Sequence, residues 1–186
     1  IMTFEGVARL FAQGMADGPM PEFYEPWESP VPNQMSGQQS NPVCKIWRPA
    51  EQGKPDKFPI VGTTYRVCEH WQAGQMTRNL PWLVEMMPEP FVEISEELAA
   101  EKGITNGDKI IVESARGKVT MKALVTIRFK PFQMNGRKVH EVGLLWHWGY
   151  SGLSKGDSAN LLTPHIGDAN TMIPEYKAFL VDIRKA

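Results

Sequence analysis

The sequence predicts a mainly β fold with short helices (α+β), in which a closed or nearly closed β-barrel follows an extended arm. Three observations predict it. Short apolar runs recur between turn signals from Phe58 to Ile183. The run Lys118–Phe129 alternates apolar and polar residues, as a strand with one buried face does. The residues before Asp56 carry too many prolines for a long helix or a central strand. Residues 1–56 are therefore read as the arm and residues 57–186 as the barrel domain.

Within the arm, Phe4, Val7, Ala8, Leu10 and Phe11 fall near helical spacing, and Thr3 suits an N-cap, so a short helix is expected over Phe4–Met15. Pro19, Pro21, Pro26, Pro30, Pro32 and Pro42 follow. Phe23, Tyr24 and Trp27 sit among them, and a disordered linker is usually poorer in aromatics. The segment reads as extended chain laid on a larger protein surface with these rings as anchors. A flexible linker is the plainer alternative.

In the barrel domain, Phe58–Gly62 is expected as a strand and Ala73–Glu85 as a helix around Met76, Leu80 and Leu83, limited by Pro81. Phe91–Ile94 reads as a short strand. Ser95 caps the helix that follows, Glu96 and Glu97 complement its dipole, and Gly103 stops it. Asn106-Gly107 is a turn. Lys109–Ala115 and Lys118–Phe129 are strands joined by a tight reversal at Arg116-Gly117. In the second of these, Val119, Met121, Ala123, Val125, Ile127 and Phe129 share the buried face. Asn135-Gly136 is a hairpin turn, and His140–Trp146 and Ala178–Ile183 complete the strands.

Composition narrows the function. A hydrophobic fraction of 42% supports a globular core. The net charge of -1 argues against a nucleic-acid partner. The arm carries -3 of it and the remainder +2, which mildly favours a polyanion on the barrel. No run reaches the roughly 18 apolar residues of a membrane span. Cys44 and Cys68 are too few and too far apart for a zinc or iron–sulfur site; a disulfide is open and free thiols are the simpler reading. The four histidines lack metal spacing, and there is no P-loop, G-x-G-x-x-G or nucleophile elbow. Ile1 at the start suggests a piece of a longer polypeptide or a processed product.

The stretch Phe58–Leu83 carries the chemistry. An apolar strand runs into Thr64, Tyr65 and Arg66, then Glu69, His70, Trp71, Gln72, Gln75, Thr77 and Arg78. Hydroxyls and backbone N–H groups bind phosphate oxygens, arginine grips them with two N–H groups at once, and an indole covers a flat ring. Such a set suits a polyanionic, partly planar ligand. A second polar stretch, Trp146–Lys177, is too long and too rich in Gly, Asn, Asp and Ser for a simple connection. Taken singly, Lys177 reads as surface charge, Trp148 as core, Asn160 as a turn residue, and His140 and His147 as structural. His165 is a further candidate to face a ligand.

The order T-x-R-x-x-E-H-W followed by G-x-M-T-R, at Thr64–Arg78, resembles the guanine-dinucleotide-binding segment of the dimethyl sulfoxide reductase family of molybdenum or tungsten bis-pterin oxidoreductases. Asn160 before Leu161, and Pro174-Glu175-Tyr176-Lys177, resemble that family's second loop. Within the family, the loop from His147 to Thr171 and the phrase from Gly18 to Pro30 resemble formate dehydrogenase large subunits, while nitrate reductases share the shorter motifs.

The resemblance implies a six-stranded double-psi β-barrel that binds bis-molybdopterin guanine dinucleotide with Mo or W. It implies cofactor contacts from Thr64, Tyr65, Arg66, Glu69, His70, Trp71, Gln75, Thr77, Arg78, Trp148, Asn160, Tyr176 and Lys177. Arg66 and Arg78 would compensate phosphate charge, Glu69 would accept from ring N–H groups, and His70 would donate to a pterin or phosphate oxygen. The metal-ligating selenocysteine or cysteine and the [4Fe-4S] cluster would lie upstream, so no catalytic or metal-ligating residue is expected here. The implied partners are the remainder of the large catalytic subunit, an iron-sulfur electron-transfer subunit, and formate or CO2, with no nucleic acid and no direct membrane span. The implied compartment is the periplasm, with the cytoplasm as alternative. The alternatives in function are a related enzyme such as nitrate reductase, or a non-catalytic docking module.

Overall fold

The structure is a computed structural model and describes residues 15–16, 25–34, 44–149 and 151–186. The helix expected over Phe4–Met15 and the anchors Phe23 and Tyr24 lie outside the described residues, apart from Met15.

The strands are β1 (Lys45–Ile46), β2 (Ile60–Tyr65), β3 (Phe91–Ser95), β4 (Lys109–Glu113), β5 (Lys118–Thr126), β6 (Phe132–Met134), β7 (Arg137–Val139), β8 (Glu141–Leu145), β9 (Ile166–Gly167) and β10 (Phe179–Lys185). The α-helices are α1 (Pro81–Met86) and α2 (Glu96–Lys102). Six strands close into one barrel in the order β10-β2-β8-β3-β5-β4. β2 runs parallel to β8 and β3 parallel to β5, whereas the other neighbours are antiparallel. This closed mixed barrel is the architecture expected, and closure leaves no unpaired edge among its strands.

Alternation fills the interior. Val119, Met121 and Ala123 of β5 face inward with Ile110 and Val112 of β4, Val92 and Ile94 of β3, Val142 and Leu144 of β8, and Phe179, Val181 and Ile183 of β10. Burying one such side chain fully contributes about 1.5–3 kcal/mol. α2 closes one end with Leu98 and Ala99. Its Ser95 Oγ accepts from the Leu98 N–H at 3.1 Å, and Gly103 ends it with φ +62°. β6 and β7 form a hairpin outside the barrel, turned by Asn135 and Gly136 with φ of 50° and 72°. That pair of positive angles is what a two-residue hairpin loop needs.

Two expectations change. The helix over Ala73–Glu85 is instead a run of turns, a 3-10 turn at Thr77–Asn79, and α1. Gln72 and Gly74 take positive φ, and Leu80 is extended because the following proline disfavours helical geometry there. Pro81 therefore begins a helix rather than limiting one. β5 ends at Thr126, so Ile127, expected on the buried face, turns out to solvent, 71% exposed. Cys44 and Cys68 form no disulfide, in line with the simpler of the two readings of the sequence.

Residues 25–34 lie on the barrel itself. Trp27 is buried, and the Glu28 carboxylate pairs with Arg116 inside the structure. β1 pairs with β9, which fastens residues 45–46 to the loop before β10. Among the described residues no helix is long and apolar enough to cross a membrane.

Candidate functional site

Thr64 is the last inward-facing residue of β2. Its Oγ1 donates to the Tyr176 carbonyl at 3.1 Å, and Lys177 Nζ donates to the Thr64 carbonyl. The approach to β10 is thereby fastened to the end of β2. One residue beyond β2, Arg66 lays its guanidinium over the Trp146 ring, 5.0 Å from the centroid. Asn160 sits in the middle of a 3-10 turn, Ala159–Leu161, whose N-terminus is capped by Ser158 Oγ.

These elements enclose one recess of about 100 Å³, lined by Thr64, Arg66, Trp146, Asn160, Tyr176 and Lys177. An adjoining hollow of about 260 Å³ shares Asn160 and Tyr176 and adds Trp47, Met172 and His165. His165 also lies 3.7 Å from the Glu51 carboxylate.

The electrostatics favour an anion. Partial burial, and after it the charge of Arg66, pull the Lys177 ammonium below its ordinary pKa. Among the described residues, Arg66 meets no carboxylate, and the Asn160 side-chain amide makes no hydrogen bond. A guanidinium, an ammonium, a free amide and an aromatic face thus line one recess without a counter-charge. That donor set fits phosphate oxygens and a flat heterocycle. Drug-sized ligands fill pockets of about 300 Å³ or more, so this recess holds one part of a dinucleotide rather than all of it.

The remaining expected residues divide differently. Tyr65 points away from the recess and donates to Glu93 Oε2 at 2.7 Å, with burial and that bond raising its pKa. Arg78, expected at the phosphates, has no exposed surface. Its Nε donates to the His147 carbonyl at 2.9 Å, Nη1 to those of Ser151 and Ser154, and Nη2 to that of Gly149 at 2.7 Å. It holds the second loop in shape from inside.

His70 is also buried. The Trp71 N–H donates to Thr77 Oγ1, which lies 3.2 Å from His70 Nδ1, while His70 Nε2 donates to the Met87 carbonyl at 2.9 Å. Both ring nitrogens are engaged within the protein, so His70 has no donor left for a ligand. Trp148 packs edge-on against His70 and donates to Ser154 Oγ, so it is interior as well. Glu69 is half-buried, and Trp71 and Gln75 are exposed on the outer side of this turn.

His147 ties the two loops together, as its structural reading anticipates. Its Nδ1 donates to the Gln72 carbonyl and its Nε2 accepts from the Val67 N–H at 3.0 Å. Burial lowers its pKa, which keeps Nε2 free to accept. Gly74, with φ +79°, lets the chain pass: a Cβ there would lie 2.3 Å from the His147 carbonyl oxygen.

Sequence reasoning chose Trp148 for the ligand wall and missed Trp146. The two share the parity of one extended segment, so alternation does not separate them. The signal available was position: Trp146 follows β8 directly, and β8 lies beside β2, which carries Thr64 and leads to Arg66.

Residues 60–180 match a family model described as the molydopterin (molybdopterin) dinucleotide binding domain. The chain is 51% identical over its whole length to formate dehydrogenase subunit alpha of Megalodesulfovibrio gigas. It is 49% identical over its whole length to the nitrate-inducible formate dehydrogenase major subunit of Escherichia coli strain K12. In both cases it covers 19% of the relative, so the chain spans about a fifth of the length of these proteins. A periplasmic nitrate reductase of Desulfovibrio desulfuricans is 41% identical over 46% of this chain and 12% of its own length. Among solved structures, acetylene hydratase from Pelobacter acetylenicus superposes with a TM-score of 0.60, covering 90% of this chain and 21% of that one. At 14% identity that likeness concerns the fold alone. The closed barrel agrees with these comparisons, and the chain belongs to the molybdopterin dinucleotide-binding domain family.

Proposed function

We propose that this chain is the C-terminal cofactor-holding part of a formate dehydrogenase large subunit, binding bis-molybdopterin guanine dinucleotide. The observation that carries the proposal is the single recess made by Thr64 and Arg66 from one loop and Asn160, Tyr176 and Lys177 from another. End-to-end identity with formate dehydrogenase subunits supports the substrate. When bound, the Mo or W centre supplies reversible two-electron chemistry for formate and CO2.

The chain's own share is binding and orientation. Arg66 offers two parallel N–H donors to an anionic oxygen and, stacked on Trp146, is held in one orientation. Lys177 adds a second positive charge, and its bond to the Thr64 carbonyl fixes where that charge sits. Asn160 reads a polar edge with both a donor and an acceptor. Tyr176 closes the recess between them. Such preorganised charges need no rearrangement when the ligand arrives.

The rest of the subunit would carry the metal-ligating selenocysteine or cysteine and a [4Fe-4S] cluster, and would pass electrons to an iron-sulfur subunit. We place the enzyme in the periplasm. Trp71, Met76, Leu80, Trp82 and Met86 are more than half exposed along one segment of this chain, which supports a covering surface there. In this reading the arm, residues 1–56, also packs on the remainder of the large subunit.

The test uses the full-length subunit. Arg66→Ala and Lys177→Ala should each release guanine nucleotide and lower metal per protein while the fold stays intact. Full occupancy in both variants would count against the proposal. Formate-dependent reduction of a dye, set against nitrate-dependent oxidation of a reduced dye, decides the substrate.

A further inference from the structure

Glu28 lies in the arm, far from the recess in sequence, yet its side chain is fully buried. Its carboxylate accepts from the Gly53 N–H, from the Leu180 N–H at 2.8 Å, and from both terminal nitrogens of Arg116. Arg116 in turn donates from Nε and Nη2 to the Leu162 carbonyl at 2.9 and 2.7 Å, and from Nη1 to the Glu51 carbonyl at 2.8 Å. Leu162 is the C-cap of the 3-10 turn that carries Asn160. The same turn is held on its other side by Asp157, which accepts from the Thr120 N–H at 2.8 Å. One residue before Glu28, the buried Trp27 lines the same hollow as Glu175, next to Tyr176 and Lys177. Two successive arm residues therefore reach both parts of the second loop.

We propose that Glu28 is a positioning residue for the recess: through Arg116 it fixes the turn that presents Asn160, so the arm sets the geometry of ligand binding. The physical reason is the cost of an unpaired buried ion. A guanidinium forked between a carboxylate and a carbonyl has one low-energy orientation; without the carboxylate, Arg116 must find water and releases Leu162. This inference rests on the proposed role of Asn160 only where ligand binding is read.

The test is made in the full-length subunit, with two readouts. Hydrogen exchange should accelerate about tenfold or more over residues 158–163 in Glu28→Gln, while β5 amides, an internal reference for global unfolding, keep their protection. Arg116→Lys, which keeps a cation between Glu28 and Leu162, should recover part of the protection lost in Arg116→Met. Pterin content should fall in Glu28→Gln and in Asn160→Ala, with no further fall in the double variant. Unchanged exchange over residues 158–163, equal exchange in the two Arg116 variants, or additive losses of pterin would each overturn the proposal. Full pterin content in Asn160→Ala would instead overturn the reading of the recess, and exchange would still decide whether Glu28 fixes the turn.

Discussion

Thr64 and Lys177 hold one another across the rim of the barrel. The Lys177 ammonium donates to the Thr64 carbonyl, and the Thr64 hydroxyl donates at 3.1 Å to the carbonyl of the residue before Lys177. One strand end and one strand approach, far apart in the chain, become a single wall of the recess.

Thr64→Val should therefore cost about 1–2 kcal/mol, because it keeps the branched shape but leaves the Tyr176 carbonyl without its donor. Thr64→Ser should cost less, since it restores the hydroxyl. Urea midpoints of the three proteins check this; equal midpoints for Val and Ser would contradict it.

Arg66 and Arg78 should separate cleanly. Arg78→Ala removes the donors of four loop carbonyls and should destabilise the fold by about 3 kcal/mol or more. Arg66→Ala removes an exposed side chain and should shift stability by about 0.5 kcal/mol or less, while it empties the site of nucleotide. Parallel measurement of unfolding and of guanine nucleotide content tests the contrast. Equal destabilisation in both would undo it.

Glu175 gives a pH dependence with a definite sign. Burial first, and then the Glu28 charge, raise its pKa to about 7, against the lowering effects of the Trp27 backbone and Arg116. A carboxyl whose folded pKa lies above its unfolded value binds more protons when folded, so its contribution to stability falls as pH rises from the ordinary range near 4.5 to about 7. The loss is at most about 3 kcal/mol. Glu175→Gln should be more stable than the parent protein at pH 8, with the gap closing toward pH 4.5. Thermal unfolding across that range reads it, and a constant gap would contradict the assignment. The depressed pKa of His147 acts in the opposite sense in both proteins and cancels in the comparison.

Gly74→Ala should destabilise by about 1 kcal/mol or more, because φ +79° and the His147 carbonyl both oppose a Cβ. Calorimetry on this variant and on Gly103→Ala, where nothing lies within 4 Å, isolates the steric part.

Much of the barrel was legible because alternation is a local signal. Val119, Met121 and Ala123 declare their face without knowledge of the partner strands. Strand order was not legible this way, and the six-stranded double-psi barrel came from the resemblance of the two motifs. The site residues were harder, since residue type does not say which way a side chain points. Arg66 and Arg78 are both motif arginines, yet a turn with positive φ at Gln72 and Gly74 sends one to the rim and the other inside. His70 and Trp148 turn into the interior for a reason residue type does not reveal either. The Glu28–Arg116 pair was hidden because its members are 88 positions apart and neither lies in the two cofactor-binding motifs.

The central claim is that two separated loops meet over one pterin dinucleotide. A side-chain-resolution density map of the full-length, cofactor-loaded subunit tests it most directly. The account predicts Arg66, Asn160 and Lys177 within hydrogen-bond reach, about 3 Å, of the same bound molecule. A map in which that recess opens onto solvent, with the cofactor held elsewhere, would contradict it.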